Sequence, residues 1–222
     1  MTGASKPPAL VAFDWGGVIL RHCRGWGEGC RAAGLPVHDE VLTPEHTARR
    51  RSLTQAFQRG ELEESAFLHG LHEANDGRYT PDELTRIHDA WLLDEYEGVR
   101  GVIERLVATP GVETALLSNT NAAHWRRHLP GPGGRAPDYP TAGLLRHRHA
   151  SHLLGLAKPD EAIYVAFERA TGFSGPEILY FDDLAENLAA PARLGWRCVH
   201  VDHAGDTARQ IADSLRTLGV HA

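Results

Sequence analysis

The chain has 222 residues, more than one minimal domain and fewer than two full ones, so we expect a core domain with a smaller insert. Hydrophobic residues make up 42% of the chain, which is enough for a packed core and excludes a wholly disordered protein. The formal net charge of −6 argues against a general affinity for nucleic acid, and no apolar run approaches the roughly 18 residues needed to span a membrane.

Four short apolar runs predict buried parallel strands. Each run is too short for a helix and is bounded by turn or helix signals. The runs are Leu10–Phe13, Val112–Leu117, Ile178–Phe181 and Cys198–Val201. The stretch from 22 to 97 holds no convincing strand and is rich in Glu, Arg, Leu and Ala, so we predict that it is all helical.

Helix signals occur in that stretch and between the strands. Thr80 opens a capping box with proline at the first helical position, and the apolar residues of 99–107 share one helix face. A helix is predicted from about Pro159 to Thr171, and another after Asp183 up to Gly195, with a kink or an early end at Pro191. The alternation predicts a doubly wound, Rossmann-like α/β core (1–21 plus 98–222) with a helical cap (22–97) inserted after the first strand.

Polar side chains follow the predicted strands. Asp14 follows the first, Ser118 and Asn119 end the second, and Asp182 and Asp183 end the third. Ligands of open parallel sheets bind at the carboxyl ends of the strands, so these groups should share one edge. Carboxylates at this density repel one another, and a hard divalent cation such as Mg²⁺ is the simplest remedy. Lys158, one of two lysines in the chain, opens the preceding helix.

Four motifs resemble those of the haloacid dehalogenase-type (HAD) hydrolase superfamily, in the order of that family. They are "VAFDWGGVI", "LLSNT", Lys158 in "GLAKPDEAIY" and "YFDDLAENL", and they extend over nearly the whole chain. The long gap between the first two fits a helical cap. Within the superfamily the chain is most similar to α-D-glucose-1-phosphate phosphatases, in "LSNTN" followed by His124, "RGELEESAF" and "FDDLAENL", and also to the N-terminal phosphatase domain of soluble epoxide hydrolases.

The resemblance implies a Mg²⁺-dependent phosphatase that acts on a small phosphorylated metabolite, with a sugar phosphate favoured. Asp14 would attack phosphorus and form an aspartyl-phosphate. Mg²⁺ would be held by the Asp14 carboxylate, the Gly16 carbonyl and the Asp183 carboxylate. Asp182 would support this shell, and Asn187 would hold a metal-bound water.

The same resemblance assigns the phosphate contacts. Ser118 and the Asn119 amide would bind phosphate oxygens. Lys158 would place a compact positive charge beside Asp14 and the phosphate, where the planar fork of arginine fits poorly.

Gly16 departs from the superfamily pattern, because most of its phosphatases carry a general acid–base aspartate at this position. General acid–base help is worth about 10²–10⁴-fold in rate. Glycine here points to an easily expelled leaving group such as an anomeric oxygen, to a substitute acid, or to lost catalysis. His124 and His22 are weak candidates for the substitute.

Two other classes compete with the phosphatase. A non-catalytic binding protein of the same fold would explain Gly16, but it has little use for a nucleophile at Asp14. A 2-haloacid dehalogenase works without metal and does not need the acidic pair at 182 and 183. Metal dependence separates the dehalogenase from the phosphatase, and turnover separates the phosphatase from the binding protein.

Other side chains receive structural interpretations. His147, His149 and His152 are predicted to lie on a partly exposed strand and loop without binding metal, and Cys23 and Cys30 with His22 lack a second ligand pair for zinc. The three cysteines suggest reduced thiols and a cytoplasmic protein. Arg49, Arg50 and Arg51 suggest a solvated helix face, with the substrate side of the cap as the alternative.

Overall fold

A parallel sheet of five strands forms the centre of the fold in the computed structural model, which describes residues 6–220. The strand order is β5-β4-β1-β6-β7. These strands are β1 (Leu10–Phe13), β4 (Glu113–Ser118), β5 (His147–Ala150), β6 (Ile178–Asp182) and β7 (Arg197–His200). The order runs outwards in both directions from β1, which is the doubly wound arrangement that the sequence predicts. Four of the five strands match the predicted apolar runs, and β5 is the partly exposed strand predicted around His147 and His149.

Helices cover both faces of the sheet, because successive side chains of a buried strand point to opposite faces. Val11 and Phe13 pack with α5 (Val99–Val107) and α10 (Thr207–Thr217). Leu10 and Ala12 pack on the other face with α8 (Glu161–Thr171) and α9 (Glu186–Arg193). The short helices α6 (Ala122–Trp125) and α7 (Ser151–Leu154) follow β4 and β5.

The insert contains four helices around a hydrophobic cluster of its own. They are α1 (Trp26–Ala32), α2 (Pro44–Gln58), α3 (Glu64–Ala74) and α4 (Pro81–Asp89). The predicted capping box is confirmed: the Thr80 hydroxyl accepts from the Glu83 amide, and the Glu83 carboxylate accepts from the Thr80 amide.

The prediction that the insert lacks strands is wrong. The strands β2 (Leu20–His22) and β3 (Leu92–Glu95) pair antiparallel where the insert leaves and rejoins the core. Both strands are short and half-exposed, so neither produces a run of apolar residues that sequence reasoning can detect. No helix within residues 6–220 is long and apolar enough to cross a membrane.

Two helix starts also differ from prediction. The helix expected from Pro159 begins at Glu161, and its end at Gly172 is confirmed by a left-handed φ of 79°. The helix expected from Asp183 begins at Glu186, because the segment between them turns to bond Asp182. Pro191 lies inside this helix, which ends at Arg193, before the predicted end at Gly195.

His128 is a buried histidine whose ring packs among aromatic side chains of the core. It is 2% exposed, packs edge-on against Trp125 at 4.2 Å between ring centroids, and neither ring nitrogen has a partner among residues 6–220. Burial, with Arg148 nearby, lowers its pKa to about 4. Between about pH 6.5 and about pH 4 the imidazole is protonated in the unfolded chain and neutral in the folded chain. The free energy of unfolding therefore decreases as the pH falls through this range.

His128→Phe is expected to reduce this acid sensitivity by about 1 kcal/mol per pH unit between pH 6.5 and 5. It should also raise the free energy of unfolding at neutral pH, since two unpartnered nitrogens are removed from the core. Urea unfolding at several pH values measures both effects. His69→Phe, which makes the same replacement at an exposed position of α3, is the matched control. Equal slopes for His128→Phe and the unsubstituted protein would contradict this account.

Candidate active site

Three carboxylates meet where β1 and β6 end side by side. Asp14 follows β1, Asp182 ends β6, and Asp183 is next in the chain. One ligand atom from each lies within 4.8 Å of the other two, and all three side chains are buried. Pairing of the two strands in parallel brings about this meeting, because their carboxyl ends share one edge.

Lys158 neutralises part of this charge. Its Nζ lies 2.9 Å from Asp14 Oδ1 and 2.8 Å from Asp182 Oδ2, and it donates to the Tyr180 hydroxyl at 2.9 Å. All three donors of the ammonium group are therefore used. Burial alone would lower the pKa of Lys158, but the two carboxylates outweigh it and raise the pKa, so the side chain is a permanent cation.

Asp182 is held by more donors than any other acid of the group. Tyr180, Lys158, the Leu184 amide and the Asn187 side chain all donate to its two oxygens. These donors, above all Lys158, outweigh burial and lower the pKa of Asp182. The side-chain nitrogen of Asn187 therefore donates to Asp182. Its contact with a metal-bound water stays a prediction.

Sequence reasoning missed Tyr180. It lies two residues before Asp182 on β6, and the two-residue period of a strand places both side chains on one face. Its hydroxyl donates to Asp182 at 2.6 Å and accepts from Lys158. The alternation along β6 was the signal that could have revealed it.

Asp14 keeps one oxygen without a partner among the described residues. Its Oδ1 accepts from the Trp15 amide at 2.7 Å and from Lys158, whereas Oδ2 has no hydrogen bond. Burial, assisted by Asp182 and Asp183 and opposed by Lys158, raises its pKa to about 7. A further cation beside this carboxylate would favour the ionised form.

Asp183 faces a cation from the insert side. Arg24 Nη1 lies 2.7 Å from Asp183 Oδ2. Gly17 allows this close approach, because its φ is +79° and an added Cβ would lie 2.2 Å from the Asp183 carboxylate. A side chain at position 17 would therefore displace Asp183.

Ser118 and Asn119 end β4, the strand next to β1. Ser118 is 3% exposed, and its hydroxyl makes no side-chain hydrogen bond with residues 6–220. The Asn119 side chain clasps the backbone of Lys158, donating to its carbonyl at 2.8 Å and accepting from its amide at 2.9 Å. The side-chain amide of Asn119 is thus committed to positioning Lys158.

His22 lies against the position of the missing acid. A Cβ built on Gly16 would lie 2.8 Å from His22 Cδ2. The carbonyl of Cys23 can only accept, so His22 Nδ1, at 2.9 Å, donates to it and Nε2 carries the lone pair. Burial and Arg24 lower the pKa of His22.

His124 is placed in a second polar group, between the core and the insert. Its ring stacks on His88 at 4.0 Å between centroids, and its Nε2 donates to the His88 carbonyl at 2.8 Å. Asn121 lies 3.3 Å from the other nitrogen. Both nitrogens of His124 are therefore occupied, and burial lowers its pKa to about 4.

A cavity of about 950 Å³ lies between the insert and the carboxyl edge of the sheet. Lys158 and Arg24, which contact the carboxylates, are among its lining residues. Its walls include helix α2 of the insert and two tryptophans, Trp26 and Trp91. This volume lies at the upper end of the range of about 300–1,000 Å³ that is typical of small-molecule sites.

The other candidate clusters take structural roles. His147 pairs with Glu113, His149 packs on Phe167, and His152 bonds the Thr120 carbonyl. All three cysteines are free thiols. Within residues 6–220, the three aspartates are the one group with the number and spacing of ligands for a metal ion.

The donor set suits Mg²⁺. Carboxylate and carbonyl oxygens are the ligands of hard divalent cations. Two carboxylate oxygens, Asp14 Oδ2 and Asp183 Oδ1, have no hydrogen bond with described residues, and the charge of the group exceeds what Lys158 and Arg24 supply. The residues present therefore fit a divalent cation.

A doubly wound sheet with buried acids at its carboxyl edge and an insert above them defines a hydrolase of the HAD-like type. The family model of haloacid dehalogenase-like hydrolases matches residues 8–195. A protein named Phosphatase MT3486, from Mycobacterium tuberculosis (strain CDC 1551 / Oshkosh), is 36% identical over 95% of this chain and 90% of its own length. The chain belongs to the haloacid dehalogenase-like hydrolases.

Solved structures share the fold. A predicted HAD-like family hydrolase from Porphyromonas gingivalis has a TM-score of 0.73 at 24% identity, covering 95% of this chain and 99% of that one. The HAD family enzyme bt-2542 from Bacteroides thetaiotaomicron, in complex with magnesium and inorganic phosphate, has a TM-score of 0.67 at 18% identity, covering 89% and 96%. At these identities the likeness concerns the fold alone.

Proposed function

We propose that this protein is a Mg²⁺-dependent phosphatase of a small phosphorylated metabolite, with Asp14 as the nucleophile and residues 22–97 as its cap. One observation carries the proposal. Asp14 is fixed through Oδ1 by Lys158 and the Trp15 amide, while Oδ2 is left without a partner among the described residues, next to a second carboxylate with a free oxygen. A relative named as a phosphatase and a neighbour that binds magnesium and phosphate support it.

The chemistry divides one displacement into two steps. The carboxylate of Asp14 attacks phosphorus, the bond to the leaving oxygen breaks, and water then hydrolyses the aspartyl-phosphate to release phosphate and regenerate Asp14. Asp14, the Gly16 carbonyl and Asp183 would hold Mg²⁺, which supplies charge stabilisation to the transferring group when bound. Ser118 and the Asn119 backbone amide donate to phosphate oxygens, and Lys158 favours the ionised form of Asp14 and orients its carboxylate.

The surroundings of Gly16 favour an easily expelled leaving group. His22 donates through Nδ1 to the Cys23 carbonyl, so its neutral ring offers a lone pair at Nε2 and no proton. Both nitrogens of His124 are occupied. Neither histidine is therefore placed to protonate a leaving group, and an anomeric oxygen needs this help least. This supports the sugar 1-phosphatase branch.

Phosphate release from glucose 1-phosphate, glucose 6-phosphate and p-nitrophenyl phosphate tests the proposal, with Mg²⁺ or with EDTA and Asp14→Asn protein as the blank. We expect Mg²⁺-dependent release that is at least about tenfold faster from the 1-phosphate, since proton help is worth 10²–10⁴-fold to a poor leaving group. Equal rates for both sugar phosphates would overturn the leaving-group argument.

No release from any of the three compounds, with inorganic phosphate still bound, would favour the non-catalytic binding protein. Gly16 is the observation that keeps this alternative open. Halide release from a 2-haloacid in the presence of EDTA would instead identify a dehalogenase.

A further inference from the structure

The three consecutive arginines of α2 have three different environments. Arg49 pairs with Glu45 and Asp76 on the exposed side of the insert. Arg51 is exposed, lines the cavity and has no ion pair or side-chain hydrogen bond with residues 6–220. Arg50 is 7% exposed and also lines the cavity. The helix thus turns one arginine away from the cavity and two towards it.

Arg50 is a buried cation without an anion. Its guanidinium donates to the Val41 carbonyl, the Asn75 side chain and the Thr47 hydroxyl, all of them neutral, and it lies 4.7 Å from the centroid of Trp26. No carboxylate in the described part of the chain pairs with it. Two of its five N–H groups remain without a protein acceptor.

Burying a charge without a partner of opposite sign is costly, and proteins normally pair such groups. The cost is offset when a ligand brings the missing charge, and the planar fork of arginine matches a carboxylate or a phosphate. Arg51, on the next position of the helix, adds a second cation at the same wall.

The rest of this wall is polar and holds no acid. The cavity-lining side chains of α2 are Thr47, Arg50, Arg51, Thr54, Gln55 and Gln58. Among the described residues that line the cavity, the acids are Asp160 and Glu186, and both belong to the core side. The cavity therefore has a positive wall on α2, separate from the carboxylates at the sheet edge.

We propose that the cap wall formed by Arg50 and Arg51 binds a second anionic group of the substrate, so that the substrate class is a phosphorylated metabolite that also carries a carboxylate or another phosphate. This inference rests on the proposed phosphatase function, since the first phosphate is assigned to the site at Asp14. The cavity is lined both by Lys158, which contacts Asp14, and by Arg50 and Arg51, and its volume of about 950 Å³ suits a small molecule with two anionic groups.

Matched substrates test this proposal. Glucuronic acid 1-phosphate differs from glucose 1-phosphate by one carboxylate, and glucose 1,6-bisphosphate differs by one phosphate. We expect kcat/KM to be at least about tenfold higher for each two-anion compound, the size of one charge-assisted hydrogen bond. Arg51→Gln and Arg50→Lys should remove most of this preference by raising KM for the two-anion compounds more than for glucose 1-phosphate.

Arg49→Gln is the control, because it removes the same charge from the same helix on the side that faces away from the cavity. It should keep the preference. Arg51 is exposed, so its substitution tests the site even if the Arg50 variant fails to fold. Equal kcat/KM for one-anion and two-anion compounds, with p-nitrophenyl phosphate hydrolysed, would overturn the inference and leave the phosphatase proposal standing.

Calorimetric titration with glucose 1,6-bisphosphate, with each protein in the Asp14→Asn background so that the compound is not consumed, gives a readout that does not need turnover. We expect its Kd to rise about tenfold in Arg51→Gln and to stay constant in Arg49→Gln. If no compound is hydrolysed, the proposed function fails, and the Kd values still decide whether the two arginines bind an anion. Equal Kd values for the protein with all three arginines, for Arg51→Gln and for Arg49→Gln would contradict the proposed anion site.

Discussion

Asp14→Asn is expected to lower phosphatase activity by about 10⁴-fold or more, the usual cost of removing a nucleophile that works as part of a unit. An amide has nearly the shape of the carboxylate but does not attack phosphorus. The loss should therefore appear in kcat for every substrate, whatever its leaving group. Phosphate release under saturating Mg²⁺ measures it.

The control is Asp160→Asn, which removes an equal charge from the cavity rim at the start of α8. It should change activity by less than about tenfold, because exposed charges act weakly through solvent. The melting temperature of Asp14→Asn should stay within a few degrees, since the Trp15 amide and Lys158 can still donate to the remaining oxygen. Full activity in Asp14→Asn would refute the nucleophile assignment.

The sequence predicts the central strands β1, β4 and β6 well because they are almost entirely buried on both faces. Such strands are continuous apolar runs, and Leu10–Phe13 has the predicted bounds. The edge strand β5 reads His147-Arg148-His149-Ala150 and is not an apolar run, so its basic residues predict a partly exposed strand instead, because polar residues are tolerated where one side of a strand is free. The β2–β3 pair was missed for a related reason, since strands of three and four residues are too short to show alternation.

The order of the motifs predicts that Asp14, Asp182 and Asp183 meet at one edge of the sheet, because the topology of an open parallel sheet brings the ends of its strands together. The residues that contact these acids and Gly16 could not be predicted from the sequence. Arg24 reaches Asp183 across 159 positions in the chain, and His22 fills the space beside Gly16. Both contacts depend on how the insert packs against the core, and no local sequence pattern predicts that packing.

The sequence also does not distinguish the environments of the three consecutive arginines, Arg49, Arg50 and Arg51. A run of three basic residues indicates a solvated face, and for Arg49 that interpretation agrees with its exposed ion pairs. Successive helix positions are about 100° apart, so the neighbours of Arg49 point elsewhere. Only the packing of α2 over the cavity distinguishes them.

Lys158→Met is expected to lower the free energy of unfolding by about 3–5 kcal/mol at pH 8, because it leaves Asp14 and Asp182 buried without their shared cation. Activity should fall by at least about 10²–10³-fold, the cost of losing one positioned donor at a transition state. Denaturant unfolding and phosphate release measure the two effects. Lys6→Met, at the only other lysine, is exposed and should change neither.

The pH dependence separates this cause from a simple loss of packing. Burial already raises the pKa of Asp14 above the unfolded value of about 3.9, and loss of Lys158 removes the cation that opposes this rise and that lowers the pKa of Asp182. Both pKa values therefore move upwards in Lys158→Met. A group of that kind costs nothing below its unfolded pKa and destabilises the fold as the pH rises towards its folded pKa. The deficit of Lys158→Met relative to the unsubstituted protein should therefore grow from pH 5 to pH 8. A deficit of equal size at both pH values would show that Lys158 acts through its methylene chain, and the charge argument for the site would fail.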